Sequence, residues 1–439
     1  MDRSVQQALR ELDPEGPCLL AEDGVVTRAE LLARAAAWGP QLHAGLRVAL
    51  DGLSPLRFVE AVTALDGCVE ALLPLPASLD ASARDSLLAA GRCNAVLSES
   101  GRLEMRGGDA GGVPAEPGST AWLLATSGTT GAPKLVSHTL ASLTRTVVCR
   151  ADRAAAFTWG LLYDPARFAG LQVTLQALLS GSPLVVAQAS DLESQVSALL
   201  RHPVNALSGT PSLWRRLLMD GRLDGCDLRQ ITLGGEIVDQ AILDALRSRY
   251  PQARITHIYA STEAGTGFSV KDGRAGFPAA WLDDPAAPVG LRIDARGHLL
   301  IRAPLRAGGE EVGRRTDPEG YLDTEDRVAV AGDRVVFRGR ASGAINVGGN
   351  KVQPEEVELC LREVAGVWDV RVQAARSSIL GNLVAAEVLA APGADQPALR
   401  QAIQRHARAT LPAWQVPAVI RFVETLDVTP AGKADRVAR

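Results

Sequence analysis

The sequence has no long apolar run, no CxxC pair of cysteines and no strong excess of charge of one sign. No apolar run approaches the roughly 20 residues of a membrane-spanning helix, and the start at Met1 continues into mixed charge, so no secretory signal is expected and the cytoplasm is the expected compartment. Its six cysteines lie far apart and its histidines are not clustered, which argues against a disulfide framework or a zinc site and predicts buried thiols. A net charge of −4 offers no basic face, so neither nucleic acid nor membrane is an expected partner.

Strand-like apolar runs alternate with helical patterns through most of the chain. The run 231–233, for example, precedes a helical pattern over 239–250 in which Asp239 is a suitable N-cap. This alternation predicts an α/β fold with largely parallel sheets. The length of 439 residues exceeds one ordinary core, so more than one domain is expected.

The pattern changes in the last third of the chain. Short apolar segments such as 298–301 are separated by Gly- and Asp-rich turns, which predicts a small antiparallel, barrel-like β part. From Gly339, helical and strand-like segments indicate a separate α+β unit. We therefore predict a large N-terminal domain over 1–338 and a small mobile C-terminal domain over 339–439.

A loop rich in Gly, Ser and Thr follows the apolar run 122–125 and ends in a lysine. Glycines let a backbone approach an anion and turn its N–H groups inward, while hydroxyls and a cation add further contacts to phosphate. The loop cannot be read as GxxxxGK[ST], because Pro133 precedes the lysine and no Ser or Thr follows it. The candidate phosphate-binding residues are Thr126, Ser127, Gly128, Thr129, Thr130, Gly131 and Lys134.

A second polar cluster, Tyr259 to Glu263, follows a strand-like run. A tyrosine ring can stack on a nucleobase, a threonine hydroxyl can bind a phosphate oxygen, and a carboxylate can bind Mg²⁺. Taken alone, the segment is more often a strand that runs into a turn.

Together these segments resemble the motifs of the adenylate-forming superfamily, which includes acyl- and aryl-CoA ligases, adenylation domains of nonribosomal peptide synthetases and luciferases. TSGTTGAPK is similar to the phosphate loop of that superfamily, and YASTE is similar to its YGxTE motif with an alanine in place of glycine. The resemblance implies that Tyr259 stacks on adenine, Thr262 contacts the α-phosphate and Glu263 holds magnesium. It also implies that Gly235 and Glu236 form the turn beside the nucleotide.

Three further segments extend the resemblance to the C-terminus. Asp326 matches an aspartate that binds the ribose hydroxyls, although Glu325 stands where glycine is usual, so that Glu325 or Asp323 could compete for the ribose. In the segment that resembles the interdomain hinge, Arg340 is implied to reach the nucleotide, and Ser342 and Asn346 depart from the pattern. The resemblance also implies that Gly348 and Gly349 line a thiol tunnel. It further implies that Lys433 bridges the substrate carboxylate and the α-phosphate.

The acid-binding residues are less clearly indicated than those for the nucleotide. Arg167 or Phe168 occupies the position of the gate to the acyl pocket, and mostly small residues would leave space for a flat aryl or a medium acyl group. The spacing after Asp164 is too long to match relatives that activate amino acids, so an amino acid is the less favoured substrate. The remaining candidates for the pocket wall are Ser208, Gly209, Gly234 and Thr266.

The resemblance implies an ATP- and Mg²⁺-dependent ligase for a small carboxylic acid. It would form an acyl- or aryl-adenylate and then transfer the acyl group to the thiol of CoA, or to the phosphopantetheine of a separate carrier protein. A nucleotide-binding regulatory protein without turnover is the alternative from another class, and the departures at Glu325, Ser342 and Asn346 motivate it. The specific acid and the oligomeric state do not follow from the sequence.

Overall fold

The computed structural model describes most of the chain. It covers residues 3–38, 42–106, 119–126, 134–147, 157–187, 191–287, 289–304, 307–377, 381–426, 428–429 and 432–433. The architecture is mixed α/β, with a large N-terminal domain and a small C-terminal domain, as the sequence predicts. No helix in these ranges is both long enough and apolar enough to cross a bilayer.

An eight-stranded sheet carries most of the candidate site residues. Its strands, in order across the sheet, are β14 (Gly265–Val270), β13 (Arg254–Ser261), β12 (Gln230–Gly234), β11 (Ala206–Gly209), β9 (Trp159–Gly160), β10 (Leu184–Val185), β1 (Pro17–Ala21) and β2 (Gly24–Thr27). The six central strands are parallel, and β14 and β2 are antiparallel edge strands. The carboxyl ends of β11, β12 and β13 therefore lie side by side at one edge, where open α/β sheets bind ligands.

A six-stranded sheet lies in the first third of the chain. In order, its strands are β6 (Leu103–Met105), β5 (Ala95–Leu97), β3 (Arg47–Asp51), β4 (Ala71–Leu75), β7 (Ala121–Thr126) and β8 (Lys134–His138). Four central strands are parallel, and β6 and β8 are antiparallel at the edges. The pairing of β7 with β8 closes the ends of the predicted phosphate loop.

The predicted β part is a five-stranded antiparallel sheet. Its strands, in order, are β15 (Phe277–Pro278), β19 (Arg334–Arg340), β18 (Leu322–Ala331), β17 (His298–Arg302) and β16 (Gly290–Ile293). The small domain contains the hairpin β20 (Ile345–Val347) and β21 (Asn350–Val352), and a sheet of β22 (Val367–Ser377), β23 (Gly381–Ala390) and β24 (Val419–Val423). The predicted boundary between 338 and 339 falls inside β19 and stays a prediction.

Helices cover the sheets, and most of them begin at a side chain that accepts a hydrogen bond from their own first turn. Ser, Thr or Asp provides this cap at nine of them, which satisfies N–H groups that have no partner within the helix. In chain order they are α1 (Val5–Arg10), α2 (Arg28–Ala36), α3 (Pro55–Leu65), α4 (Ala81–Ala90), α5 (Leu140–Leu143), α6 (Phe168–Ser180), α7 (Leu192–Leu200), α8 (Pro211–Asp220), α9 (Gln240–Arg249), α10 (Glu310–Arg314), α11 (Pro354–Arg362) and α12 (Gln396–Thr410). Asp239 caps α9, as predicted.

The domains have separate hydrophobic cores. Fully buried Trp214 lies in a core formed by α8, α9 and the strands around β12, whereas the small domain packs its own apolar residues between α11, α12 and its sheet. The prediction that the thiols are buried holds for Cys18 and Cys360 and is wrong for Cys68, which is exposed just after α3; Cys93 and Cys226 are half-buried. Cys149 lies outside the described residues.

Candidate active site

Most of the candidate residues of the large domain meet at the carboxyl edge of β11, β12 and β13. A cavity of about 1470 Å³ opens there, and Ser208, Gly234, Glu236 and Tyr259 contribute to its wall. Gly234 pairs with Ile258 at the strand end, where a Cβ would lie 3.3 Å from the Ile258 carbonyl oxygen. The absence of a side chain keeps this corner of the cavity open.

One end of the predicted phosphate loop, Thr126, lines the cavity. Thr126 and Lys134 are paired partners in the β7–β8 ladder, and the Thr126 hydroxyl reaches the Lys134 carbonyl oxygen at 3.5 Å. The ladder therefore anchors both ends of the loop next to the sheet edge. The loop residues themselves lie outside the described part of the chain: Ser127, Gly128, Thr129, Thr130 and Gly131.

Lys433 lines the cavity although it lies more than 170 residues after the ends of β11, β12 and β13 in sequence. A Cβ added at Gly235 would lie 3.4 Å from Lys433 Cε, so the lysine side chain packs over this glycine. Gly235 has a φ of +81°. Only glycine adopts that conformation at little cost, so the turn after β12 provides both the bend and the space for the lysine.

Although Lys433 is solvent-exposed, partial desolvation by the surrounding protein lowers its pKa, and nearby Arg340 lowers it further. Three carboxylates oppose this effect because they favour the charged ammonium group, with Glu236 the strongest, followed by Asp326 and Glu263. The lysine is therefore a cation held among acids at the edge where the resemblance expects the reaction.

The turn that carries Lys433 is fastened to the large domain. The Thr210 hydroxyl, which caps α8, donates a hydrogen bond to the carbonyl oxygen of Gly432. Within the turn, the N–H of Thr429 donates to the Lys433 carbonyl oxygen at 2.7 Å. The small domain thus has its catalytic candidate inserted into the large-domain site.

Tyr259, Asp326 and Arg340 form a chain of polar contacts beside the lysine. The Tyr259 hydroxyl donates to Asp326 Oδ2 at 2.6 Å, and Arg340 Nε lies 3.6 Å from Asp326 Oδ1. Burial raises the pKa of Asp326, while the Tyr259 hydrogen bond, Arg340 and Lys433 oppose that rise. The Tyr259 ring is parallel to the rings of Phe268 and Phe337, with centroids 5.2 and 5.4 Å away. Adenine stacking on Tyr259 stays a prediction, and these two rings restrict the approach to its faces.

Asp323 and Glu325, the two other acids that could bind the ribose, have basic residues of the protein as neighbours. The Asp323 carboxylate pairs at 2.6 Å with Arg296, in the turn between β16 and β17, and at 3.2 Å with His298 on β17. Glu325 has a φ of +62° and its carboxylate lies 3.8 Å from Arg315. Asp326 is the acid of this segment that lies close to Lys433, so the geometry favours it for a vicinal diol.

Glu263 fits the predicted magnesium site. Glu263 lines the cavity, and its carboxylate lies 3.8 Å from the Arg315 guanidinium. It is therefore close to where the ATP phosphates and their metal ion are predicted to bind. One carboxylate is a suitable donor set for Mg²⁺, which keeps several waters and takes its remaining ligands from substrate phosphates. Glu263 would therefore hold the ion, and Arg315 would lie next to it.

His138 connects the phosphate-loop strand to the Thr262–Glu263 turn. Its Nε2–H donates to the Thr262 carbonyl oxygen at 2.7 Å, and its Nδ1 lies 2.9 Å from the Ser142 hydroxyl. Burial lowers the pKa of His138, although the Thr262 hydrogen bond and Glu263 oppose that. A neutral ring at neutral pH is consistent with a structural link between the two motifs.

The predicted gate residues begin helix α6. Arg167 is the residue before the helix and its Nη2 donates to the Ser78 hydroxyl at 3.1 Å, while Phe168 is half-buried with its ring 6.0 Å from that of His138. Both line the cavity.

Five polar residues with mutual contacts line the side of the cavity where the acyl group is predicted to bind. The Tyr163 hydroxyl is hydrogen-bonded to Ser208, and the Thr266 hydroxyl donates to Gln172 Oε1 at 3.3 Å. Arg145 donates to the carbonyl oxygen of Thr266. Ser208 and Thr266 both line the cavity, and their role in binding the acid stays a prediction.

Two groups of candidates lie away from this wall in the described structure. A Cβ at Gly209 would lie 3.1 Å from the Trp214 ring, so this glycine packs against the core behind the wall. Gly348 and Gly349 form the exposed turn of the β20–β21 hairpin, with φ values of +56° and +90°. Their proposed role in a thiol tunnel stays a prediction.

Four residues with contacts around the cavity are not indicated by the sequence. They are His138, Arg145, Gln172 and Arg315, and none belongs to a segment with a recognisable motif. Their positions depend on long-range packing, for which the sequence offers no local signal. Thr210, by contrast, is expected from the sequence as a small residue near the acyl pocket, and the structure shows it as the cap of α8 in contact with Gly432.

The chain matches two family descriptions. The family "AMP-binding enzyme" matches residues 96–304, and the family "AMP-binding enzyme C-terminal domain" matches residues 356–433. Together these matches cover more than half of the chain and follow the order of its two domains.

The chain is also similar to curated proteins and to solved structures. The chain is 28% identical to the phenyloxazoline synthase MbtB of Mycolicibacterium paratuberculosis over its whole length, but it spans only 41% of that relative. It is 29% identical to a probable 2-succinylbenzoate–CoA ligase of Mycobacterium tuberculosis, over 72% of this chain and 83% of the relative.

A crystal structure of the anthranilate CoA ligase AuaEII in complex with anthranoyl-AMP superimposes with a TM-score of 0.78. It covers 98% of this chain and 95% of that structure at 18% identity, which shows a common fold.

Proposed function

Because the chain belongs to the adenylate-forming superfamily, we propose that it is an AMP-forming acid–thiol ligase. In the first step, a carboxylate oxygen attacks the α-phosphorus of ATP, so that an acyl-adenylate forms and pyrophosphate leaves. In the second step, a pantetheine thiolate attacks the carbonyl carbon of this mixed anhydride, and AMP leaves. CoA is the proposed thiol.

The observation that carries this proposal is the position of Lys433. Its ammonium group lies within the field of Glu236, Asp326 and Glu263, over the glycine turn at Gly235. A cation between an attacking carboxylate and an anionic phosphate reduces their repulsion, and a preorganised group of this kind contributes a few kcal/mol. Lys433 is solvent-exposed and also contributes to the cavity wall, so its charge can reach a ligand bound there.

The other residues would each bind a different part of the nucleotide. Asp326, with Tyr259 and Arg340 as partners, would accept hydrogen bonds from the two ribose hydroxyls. Glu263 would hold Mg²⁺, which neutralises phosphate charge when it is bound. The pairing of Thr126 with Lys134 would hold the two ends of the phosphate loop together.

The proposed acid class is a flat aryl acid. Phe168, Phe268 and Trp281 all line the cavity, and the hydroxyls of Ser208 and Thr266 together with Gln172 supply polar contacts. An aromatic ring can bury its faces against such side chains while its substituents reach the polar groups. The name of the M. tuberculosis relative, a probable 2-succinylbenzoate–CoA ligase, is consistent with this class.

The test is a screen of carboxylic acids with ATP, Mg²⁺ and CoA. Substituted benzoates, short and medium aliphatic acids and amino acids would each be supplied, pyrophosphate release would be measured, and thioesters would be identified by mass spectrometry. We expect pyrophosphate release with at least one aryl acid, dependent on Lys433. ATP binding without pyrophosphate release with any acid would instead support a nucleotide-binding regulatory protein.

A carrier protein is the second candidate acceptor. The full-length similarity to a phenyloxazoline synthase, of which the chain spans 41%, favours it. The screen therefore needs a parallel arm in which a phosphopantetheinylated carrier protein replaces CoA. Acyl transfer to the carrier with none to CoA would favour the second candidate.

A further inference from the structure

Four buried charged side chains form a ring across the interface between the domains. Arg215 on α8 and Asp239 before α9 belong to the large domain, and Arg362 on α11 and Asp369 on β22 belong to the small domain. Their side chains are between 7% and 13% exposed. Buried charges are retained only when they are paired, so the ring is a specific contact.

The ring alternates in charge and contains two kinds of contact. Within each domain the pairs are close: Arg215 Nη2 lies 2.5 Å from Asp239 Oδ2, and Arg362 Nε lies 2.9 Å from Asp369 Oδ1. Across the interface they are longer: Arg215 Nε lies 3.7 Å from Asp369 Oδ1, and Arg362 Nη1 lies 3.7 Å from Asp239 Oδ2. Each arginine therefore contacts one acid of its own domain and one of the other.

This division lets the ring open without leaving an isolated charge. When the domains separate, each arginine keeps the close acid of its own domain, and only the two longer contacts are lost. A buried ion that loses its sole partner is strongly destabilising, and neither domain faces that loss here. The arrangement is suited to reversible contact.

The electrostatics of Asp239 reflect both domains. Burial alone would raise its pKa, but Arg215 and then Arg362 of the small domain hold the pKa below its usual value. Trp368, next to Asp369, packs from the small domain against the core cluster that contains Trp214. Apolar and charged contacts between the two domains therefore lie next to each other.

Helix α8 connects this ring to the catalytic candidate. Its cap, Thr210, donates to Gly432 in the turn that carries Lys433, and Arg215 lies on the same helix. The small domain therefore contacts one helix at two points, and the orientation that closes the ring is the orientation that seats Lys433.

We infer that Arg215, Asp239, Arg362 and Asp369 are positioning residues that hold the small domain in the orientation required for acyl-adenylate formation. This inference rests on the proposed function, because it assigns the ring to one of the two half-reactions. Opening of the ring would release Lys433 from the site and free the small domain for the second step.

The test compares Arg215→Gln with Arg216→Gln. Arg216 is the next residue on α8, is only partly buried and does not line the cavity, so it controls for the loss of one charge from that helix. We expect Arg215→Gln to slow pyrophosphate release about tenfold, which corresponds to about 1.4 kcal/mol. Thioester formation from a chemically supplied acyl-adenylate should be unchanged or faster, and Arg215→Lys should restore part of the first rate. Equal loss in both half-reactions would overturn the inference.

A measurement without turnover separates this inference from the proposed function. Hydrogen exchange followed by mass spectrometry would report on peptides from α8 and α11 in the same variants. We expect faster exchange in both peptides for Arg215→Gln and not for Arg216→Gln. Unchanged exchange in α11 would refute the ring as a domain contact even if no acid is ever turned over, whereas faster exchange in an inactive protein would refute only the ligase proposal.

Discussion

At the scale of single residues, Lys433 is a cation whose protein surroundings oppose its charge, although the residue is solvent-exposed. Partial desolvation at the cavity lowers its pKa from the usual value of a lysine, and Glu236 is the strongest of the groups that raise it again. Because the charged form is the useful one, adenylation should fall on the alkaline side at a lower pH than for an ordinary lysine.

Glu236→Gln tests this electrostatic balance. The loss of that carboxylate should lower the pKa of Lys433 further, so the alkaline limb of the pH profile of pyrophosphate release should move to lower pH. Thioester formation from supplied adenylate does not use the lysine and is the control. An alkaline limb that stays in place would remove Glu236 from this role.

A second residue-scale prediction concerns the metal. Glu263→Gln keeps the shape and removes the charge, so the magnesium concentration for half-maximal adenylation should rise by about an order of magnitude. Glu325→Gln is the matched control, because Glu325 lies equally far from Arg315, at 3.8 Å. Similar magnesium titrations for the two variants would contradict the assignment.

At the scale of elements, helix α6 brings the gate residues against the sheet through a glycine. A Cβ at Gly170 would lie 2.1 Å from the carbonyl oxygen of Asp164, so the segment before the helix approaches closely only because no side chain intervenes. Tyr163 and Arg167, which line the cavity, belong to that segment.

Gly170→Ala should therefore destabilise the fold by about 1–3 kcal/mol and raise the KM for the acid, since overpacking forces the segment to shift. Gly225→Ala is the control, because a Cβ there would meet nothing within 4 Å. Urea unfolding measures the first effect and steady-state kinetics the second. Equal unfolding free energies for the two variants would contradict the account.

Sequence reasoning succeeded where the information is local. The cap Asp239, the acid Asp326 and the strand-end cluster from Tyr259 to Glu263 each lie in a short segment with its own pattern. Asp239 begins α9, and Asp326 and the cluster line one cavity. The left-handed backbone of Glu325 supplies a physical reason for the glycine usual at that position.

The residues that sequence reasoning missed depend on distant packing. Arg315 reaches Glu263 only through the fold of the five-stranded sheet, and His138 reaches Thr262 across 124 positions. The ring of Arg215 and Arg362 exists only because two domains meet. No local pattern encodes a contact of this kind.

At the scale of the whole molecule, the two domains lie in one of the orientations that the proposed reaction requires. Lys433 is seated, whereas the turn at Gly348 and Gly349 is exposed and does not contribute to the wall of the main cavity. A rotation of the small domain would be needed to bring that turn to the acyl group.

Gly349→Leu tests this second role. It should reduce thioester formation while pyrophosphate release stays nearly unchanged, because in the described orientation a Cβ at Gly349 meets nothing within 4 Å. Gly349→Ala controls for the φ of +90°, which any side chain strains. Thioester formation that is unimpaired in the leucine variant would place the thiol elsewhere.

The most direct test of the central claim is to measure both half-reactions in Lys433→Ala. With the matched acid and ATP, we expect pyrophosphate release to fall by about two orders of magnitude, as for the loss of one preorganised charged group. With chemically supplied acyl-adenylate and CoA, or the carrier if that is the acceptor, we expect thioester formation close to that of the wild type. Unchanged pyrophosphate release, or equal loss of both activities, would contradict the role of the seated lysine on which the account rests.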